Sequence, residues 1–155
     1  MQERKRRRGL LVPAPGYRLL PHTTDAYIQA TGSTLEEALE FAGMALFDTM
    51  CDLKSISTEH VEKVEVTAPD EVALLHNWLE TLLLKFELEH KVFAKFKVTL
   101  DRKLSNRIQA FAMVYGETYE KRKHGAKVEV KAVTLHRIEV VHSDGAVIIR
   151  FILDL

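Results

Sequence analysis

The chain has 155 residues, 46% hydrophobic and 28% charged, the composition of an ordinary folded domain rather than a disordered segment. Its 22 basic and 22 acidic side chains cancel overall, but five of the basic and one of the acidic lie in residues 1–8, leaving 17 against 21 in the remainder. The single cysteine, Cys51, excludes an intramolecular disulfide framework and a cysteine-cluster metal site.

Residues 1–16 are expected to form a basic, flexible tail and linker, because a charge run is followed by an apolar stretch cut by Pro13, Pro15 and Gly16. Those breaks argue against a signal peptide. No apolar run approaches the roughly 20 residues of a membrane span, so a soluble, cytoplasmic protein with no membrane partner is expected. Residues 17–155 are read as one domain. Ala26, Ile28 and Ala30 alternate with polar neighbours as in a half-buried strand. Ser33 with Glu36 fits a capping box ahead of a helix whose stripe is Leu35, Ala38, Leu39, Ala42, Leu46 and Met50. Val64, Val66 and Ala68 predict a second strand, stopped by Pro69, and Asp70 is a good N-cap for a second helix carrying Leu75, Trp78, Leu79, Leu82 and Phe86.

After residue 91 the pattern is strands only. Phe96, Val98 and Leu100 mark one, residues 108 to about 119 another, and 127–142 a third, long enough to need a bend or bulge. Ser143-Asp144-Gly145 predicts a hairpin turn into a last strand running to the C-terminus. The expected fold is therefore α+β, a two-layer sandwich of mostly antiparallel sheet with two amphipathic helices packed on one face.

The dinucleotide, P-loop, GxSxG and HExxH signatures are all absent. Two local features remain. Pro21-His22-Thr23-Thr24-Asp25 is either a ligand-bearing turn with His22 and Asp25 as donors, or a turn whose Thr and Asp side chains bond nearby backbone. The final strand ends abruptly in Asp154-Leu155, where a side-chain carboxylate meets the chain's own carboxylate. Such oxygens suit Ca²⁺, Mg²⁺ or Mn²⁺, although a solvated chain end has the same sequence. His136 and His142 lie too far apart along a straight strand for a zinc site, even with His124 preceding them. Cys51 reads as a core residue and Lys131 as a solvated lysine. The Arg-rich tail is either a solubilising segment or a phosphate-binding one.

Taken in order, several segments resemble the archease family. They are Tyr17 to Asp25 (YRLLPHTTD), Gly32 to Ala38, Met44 to Phe47, Leu74-Leu75 with Trp78-Leu79, Gly116-Glu117, His124 to Thr134 and the terminal Asp154-Leu155. The resemblance covers residues 17–155. It implies an accessory protein rather than a stand-alone enzyme, one that activates an RtcB-type RNA ligase in tRNA splicing. That ligase attaches GMP from GTP to its own histidine using Mn²⁺, and an archease speeds this guanylylation and supports multiple turnover. The resemblance also implies a divalent cation, most often Ca²⁺ with Mg²⁺ or Mn²⁺ as alternatives, held by Asp25, Asp154 and the backbone or terminal oxygens of Leu155. It assigns roles in partner activation to Lys131, in the His124 to Thr134 segment, and to His22, in the Tyr17 to Asp25 segment. Thr24 stands where the family usually has Ala. A sheet joining the first and last strands would bring Asp25 and Asp154 together. The rival readings are a metal-dependent phosphoester hydrolase using His22, Asp25 and Asp154, and a chaperone-like binding module.

Overall fold

The computed structural model describes residues 12–22 and 24–155. Residues 1–11 of the expected tail, and Thr23 of the polar turn, lie outside the described residues.

The α+β architecture is as predicted, and its strands divide between two antiparallel sheets. The first contains β1 (Gly16–Leu20), β2 (Ala26–Gly32), β6 (Ala132–Val133), β7 (Glu139–Ser143) and β8 (Ala146–Asp154). In it β2 lies between β1 and β8, and the far edge of β8 is shared by β7 and β6. The second sheet has β5 (Ile108–Thr118) between β3 (His60–Ala68) and β4 (Lys91–Asp101). Both long helices, α1 (Leu35–Met50) and α2 (Glu71–Glu89), touch strands of both sheets and so form the middle of the core. A four-residue helix, α3 (Lys121–His124), follows β5.

Period-2 burial on the strands and period-3.6 burial on the helices build one continuous apolar cluster. Phe47 of α1 meets Phe93 edge-on and stacks near Phe96, both of β4. Fully buried Trp78 joins the helices, its indole N–H donating to the Leu39 carbonyl at 2.8 Å. Gly116 is required by a close approach rather than by a turn. A Cβ there would collide with the Val92 carbonyl oxygen, beside the irregularity that β4 carries between Phe93 and Lys95.

Three local expectations are corrected. The N-cap of α1 is Thr34, not Ser33. Its hydroxyl accepts from the Glu37 N–H at 3.2 Å, and the Glu37 carboxylate accepts from the Ser33 N–H at 3.0 Å, so the box sits one residue later. Either serine or threonine can cap, and acids occupy both 36 and 37, so sequence alone leaves the frame ambiguous. The first strand of the domain opens at Gly16, one residue inside the expected linker. Finally, 127–142 is not one bent strand. Only Ala132–Val133 pair before a turn at 135–137, where Arg137 takes a left-handed φ of 56°. Ahead of them the chain is held to α1 at Lys127, through its backbone N–H and its ammonium, so the alternating valines at 128 and 130 do not report a ladder. The Asp70 cap of α2 and the Ser143–Ala146 hairpin are as predicted.

Candidate metal centre

The β2–β8 register runs from Ala26 opposite Leu153 to Gly32 opposite Val147. Continued by one residue, it sets Asp25 opposite Asp154. Directly opposed residues share one face of a sheet, a few ångströms apart. On the other side of β8, Ala132 pairs with Asp154, and the Lys131 N–H donates to the Asp154 carbonyl at 2.7 Å. Asp25, Asp154 and Lys131 thus lie at one end of three adjacent strands. Among the described residues, neither aspartate side chain has a hydrogen-bond or ion-pair partner in the protein.

Behind this sheet end, between α1 and the β1–β2 hairpin, is a cavity of about 600 Å³. His22, Asp25 and Leu155 line it, and so do Tyr17, Asp48 and Lys127. His22 sits edge-on to Tyr27 at 6.0 Å between ring centroids. Asp154 and Lys131 are not among the lining residues; Lys131 is exposed on the segment that enters β6. The structure therefore groups Asp25, Leu155 and His22 at the cavity, with Asp154 and Lys131 beside it.

The Tyr17, Asp48 and Lys127 cluster was not legible in sequence. The Tyr17 hydroxyl donates to Asp48 at 3.1 Å, and the Lys127 ammonium reaches the Asp48 carboxylate at 3.1 Å and its carbonyl at 2.9 Å. Burial, then the Asp48 charge and hydrogen bond, push the Tyr17 phenol up to about 12, so it is a neutral donor at physiological pH. Lys127 places its cation at the carbonyl end of α1, where the helix dipole favours positive charge. Its backbone N–H also donates to the Met50 carbonyl at 2.9 Å, which fixes the chain to the end of the helix at Lys127, four residues ahead of Lys131. Positions 17, 48 and 127 meet only through the fold, and no local spacing announces them.

The donor set fits a hard cation. The Asp25 and Asp154 carboxylates and the Leu155 main chain offer oxygen donors only, the kind that would suit Ca²⁺, Mg²⁺ or Mn²⁺ rather than zinc. Among the described residues no three His, Cys, Asp or Glu side chains converge, so main-chain oxygens and water would have to complete any such shell.

The remaining candidates have structural roles. Cys51 is buried, and burial chiefly pushes its thiol up to about 11, which suits an inert core residue. His142 Nε2 donates to the Glu71 carboxylate at 2.6 Å, and His136 lies in a turn. His124 is buried with both ring nitrogens engaged. Its Nδ1 accepts from the Glu120 N–H at 2.9 Å, so Nε2 carries the proton that reaches Glu117 at 2.8 Å. Glu117 also accepts from the Ser57 N–H at 2.8 Å and the Lys123 ammonium at 2.9 Å. Partial burial raises its carboxyl, but hydrogen bonds from Lys123, Ser57 and His124 outweigh this and lower it to about 2.

A depressed carboxyl stabilises the fold above its unfolded value, and that stability is lost as pH falls from about 4.5 towards about 2. Glu117→Ala leaves the buried His124 N–H unpaired and is expected to cost about 2 kcal/mol at neutral pH. The variant should also lose part of the wild type's acid unfolding dependence below about pH 4.5. Thermal melts of both proteins across pH 2 to 7 measure this, and identical curves would show that the network carries no stability.

These features define a small α+β domain, two antiparallel sheets around a helix pair, with carboxylates where its first long strand meets its last. The sequence model described as Archease protein family (MTH1598/TM1083) matches residues 17–155. The chain is 38% identical over 140 residues to protein archease of Methanothermobacter thermautotrophicus, covering 90% of this chain and 99% of that one. It is 39% identical over 136 residues to protein archease of Thermococcus gammatolerans, covering 86% and 94%. The solution structure of Methanobacterium thermoautotrophicum protein 1598 superposes with a TM-score of 0.79 at 35% identity, over 90% of this chain and 99% of that chain. The chain belongs to the archease family. Among the described residues no helix is long and apolar enough to cross a membrane.

Proposed function

We propose that this protein is an accessory factor that activates an RtcB-type RNA ligase in tRNA splicing, promoting GTP-dependent guanylylation of the ligase through a divalent-cation site at Asp25, Asp154 and Leu155. Membership of the archease family supports the coarser part of this reading, an accessory protein in the setting of RNA ligation. The observation that carries the finer part is the β2–β8 register, which opposes two aspartates that have no protein partner among the described residues.

Two opposed carboxylates repel, and a bound divalent cation supplies the charge that offsets this. The protein's own residues fix the rest. The β2–β8 ladder ends at Ala26 opposite Leu153, the residues next to the two aspartates, and the Lys131 N–H to Asp154 carbonyl bond holds the third strand alongside. The Lys127 bond to Asp48 fastens the chain four residues ahead, so the exposed Lys131 is presented beside the carboxylates as a cationic contact for the partner. His22, on the cavity rim, presents a second polar contact. GTP, Mn²⁺ and RNA chemistry belong to the ligase, and cytoplasmic localisation follows that partner.

With a cognate ligase, GTP and Mn²⁺, the chain is expected to increase ligase guanylylation at substoichiometric amounts, read as radiolabelled GMP on the ligase. The chain alone should leave GTP and RNA ends unchanged. Hydrolysis of a phosphoester by the chain unaided would favour the hydrolase reading. Protection of unrelated unfolded proteins without metal, and no effect on the ligase, would favour the chaperone-like module.

A further inference from the structure

The outer face of the β3–β5–β4 sheet has a composition that neither the core nor the metal centre explains. Val64, Val66, Ala68, Phe96, Val98, Ala110, Ala112 and Val114 point inward and are buried. The alternate residues therefore point outward. Register places them in rows across the three strands: Val61, Tyr115 and Lys95; Lys63, Met113 and Lys97; Glu65, Phe111 and Thr99; Thr67, Gln109 and Asp101. Among the described residues no other element packs on these rows.

Two aromatics thus lie on the central strand, Tyr115 between Val61 and Lys95 and Phe111 between Glu65 and Thr99, with Lys63 and Lys97 on the two edges of the row between them. Phe111 is 38% exposed, large for an aromatic in a central strand. The Lys95 ammonium sits 4.8 Å from the centroid of the Tyr115 ring, so cation and π-face are already paired. Phe111 and Tyr115 are four residues apart, about 13 Å along the strand, room for two separate bases. Met113 between them is bracketed by Lys63 and Lys97. The first two rows carry three lysines and no acid, whereas Glu65 and Asp101 confine negative charge to the other two. Aromatic platforms on an antiparallel sheet with flanking cations are the chemistry by which proteins stack unpaired bases and neutralise their phosphates. Thr67 and Gln109, opposed beyond Phe111, add hydrogen-bonding groups suited to ribose hydroxyls.

We infer that this face binds single-stranded RNA directly, with Tyr115 and Phe111 stacking bases and Lys63, Lys95 and Lys97 contacting phosphates. The inference goes beyond the ligase reading and does not depend on it, since it concerns the chain by itself.

The test is fluorescence anisotropy of a labelled, unstructured single-stranded oligoribonucleotide with the full chain, over a salt series. Tyr115→Ala and Phe111→Ala should each weaken binding roughly tenfold, within the range for loss of one stacked base. Lys63→Gln and Lys97→Gln should each flatten the salt dependence by about 0.7 in the log–log slope, the single-strand value per phosphate. Glu65→Gln should tighten binding, an effect that damaged folding does not produce. Ultraviolet crosslinking followed by mass spectrometry should place the RNA on peptides of β5. Binding that ignores the aromatic variants, or that disappears only when Arg4, Arg6, Arg7 and Arg8 are neutralised, would overturn the inference in favour of the basic N-terminus. Loss with the lysine variants but not the aromatic ones would point to an acidic protein partner and overturn it too. Equal affinity for the matching oligodeoxyribonucleotide would overturn the choice of RNA.

Discussion

Asp25→Ala and Asp154→Ala are each expected to remove most divalent-cation binding and most activation of the partner ligase, and the double variant to be scarcely worse than either. Residues that act as one unit are strongly non-additive, because the first substitution already removes what the second would. Continued one residue past Ala26 and Leu153, the β2–β8 register opposes the pair, so on the proposed reading each carboxylate would supply part of one oxygen cluster. Without added cation the single variants should be no less stable than wild type, since deleting one carboxylate relieves the repulsion between the two. Adding Ca²⁺ or Mn²⁺ should then raise the melting temperature of wild type but not of the variants, in line with ligand linkage. Lys131→Ala should behave differently. It leaves the backbone bond to Asp154 in place, so cation binding should persist while ligase activation falls.

The largest expected effect on stability is at Trp78. The side chain is fully buried, meets Phe96 edge-on at 5.9 Å and bonds the Leu39 carbonyl, joining both helices to the second sheet. Trp78→Ala removes that packing and leaves a cavity that the surrounding strands and helices cannot fill, a loss of about 3–5 kcal/mol. At this chain length about 2–4 °C accompany each kcal/mol, so the melting temperature should fall by roughly 10 °C. Trp78→Phe retains part of the volume and loses the indole donor, so its loss should be a fraction of that. Circular dichroism melts of the two variants decide it. A drop of under about 3 °C in Trp78→Ala would show that the helix pair is not the centre of the core.

Local periodicity made the elements legible, and pairing lay beyond it. Leu35, Ala38, Leu39, Ala42 and Leu46 announce α1, and Asp70 announces the start of α2, because caps and stripes are properties of neighbouring residues. That β8 joins β2 depends on contacts between residues more than a hundred positions apart, as Ala26 with Leu153, and that β3 joins β5 on contacts across the whole of α2 and β4, as Val64 with Ala112. An alternating strand carries no label for its partner. The stretch 127–142 misled for the opposite reason. Its valines alternate, yet Lys127 is drawn to the C-terminal end of α1, and before β7 resumes at Glu139 the ladder is reduced to Ala132–Val133.

The candidate site divides in the same way. His22 and Asp25 sit in a polar turn that stands out between strand-like segments, and Asp154-Leu155 stands out as an abrupt end. Their association came from family resemblance, since 129 positions separate the aspartates and no spacing rule links them. The supporting cluster of Tyr17, Asp48 and Lys127 gave no signal at all. Each is an ordinary residue for its element, and only the cavity between α1 and the β1–β2 hairpin gathers them.

Calorimetric titration of Ca²⁺ and of Mn²⁺ into wild type, Asp25→Ala, Asp154→Ala and the double variant tests the joint site most directly. One strong site in wild type, nearly absent from all three variants, is the expected result. Independent, additive losses at Asp25 and Asp154, or undiminished binding in either single variant, would contradict a shared site and leave the opposed register without a cation to hold.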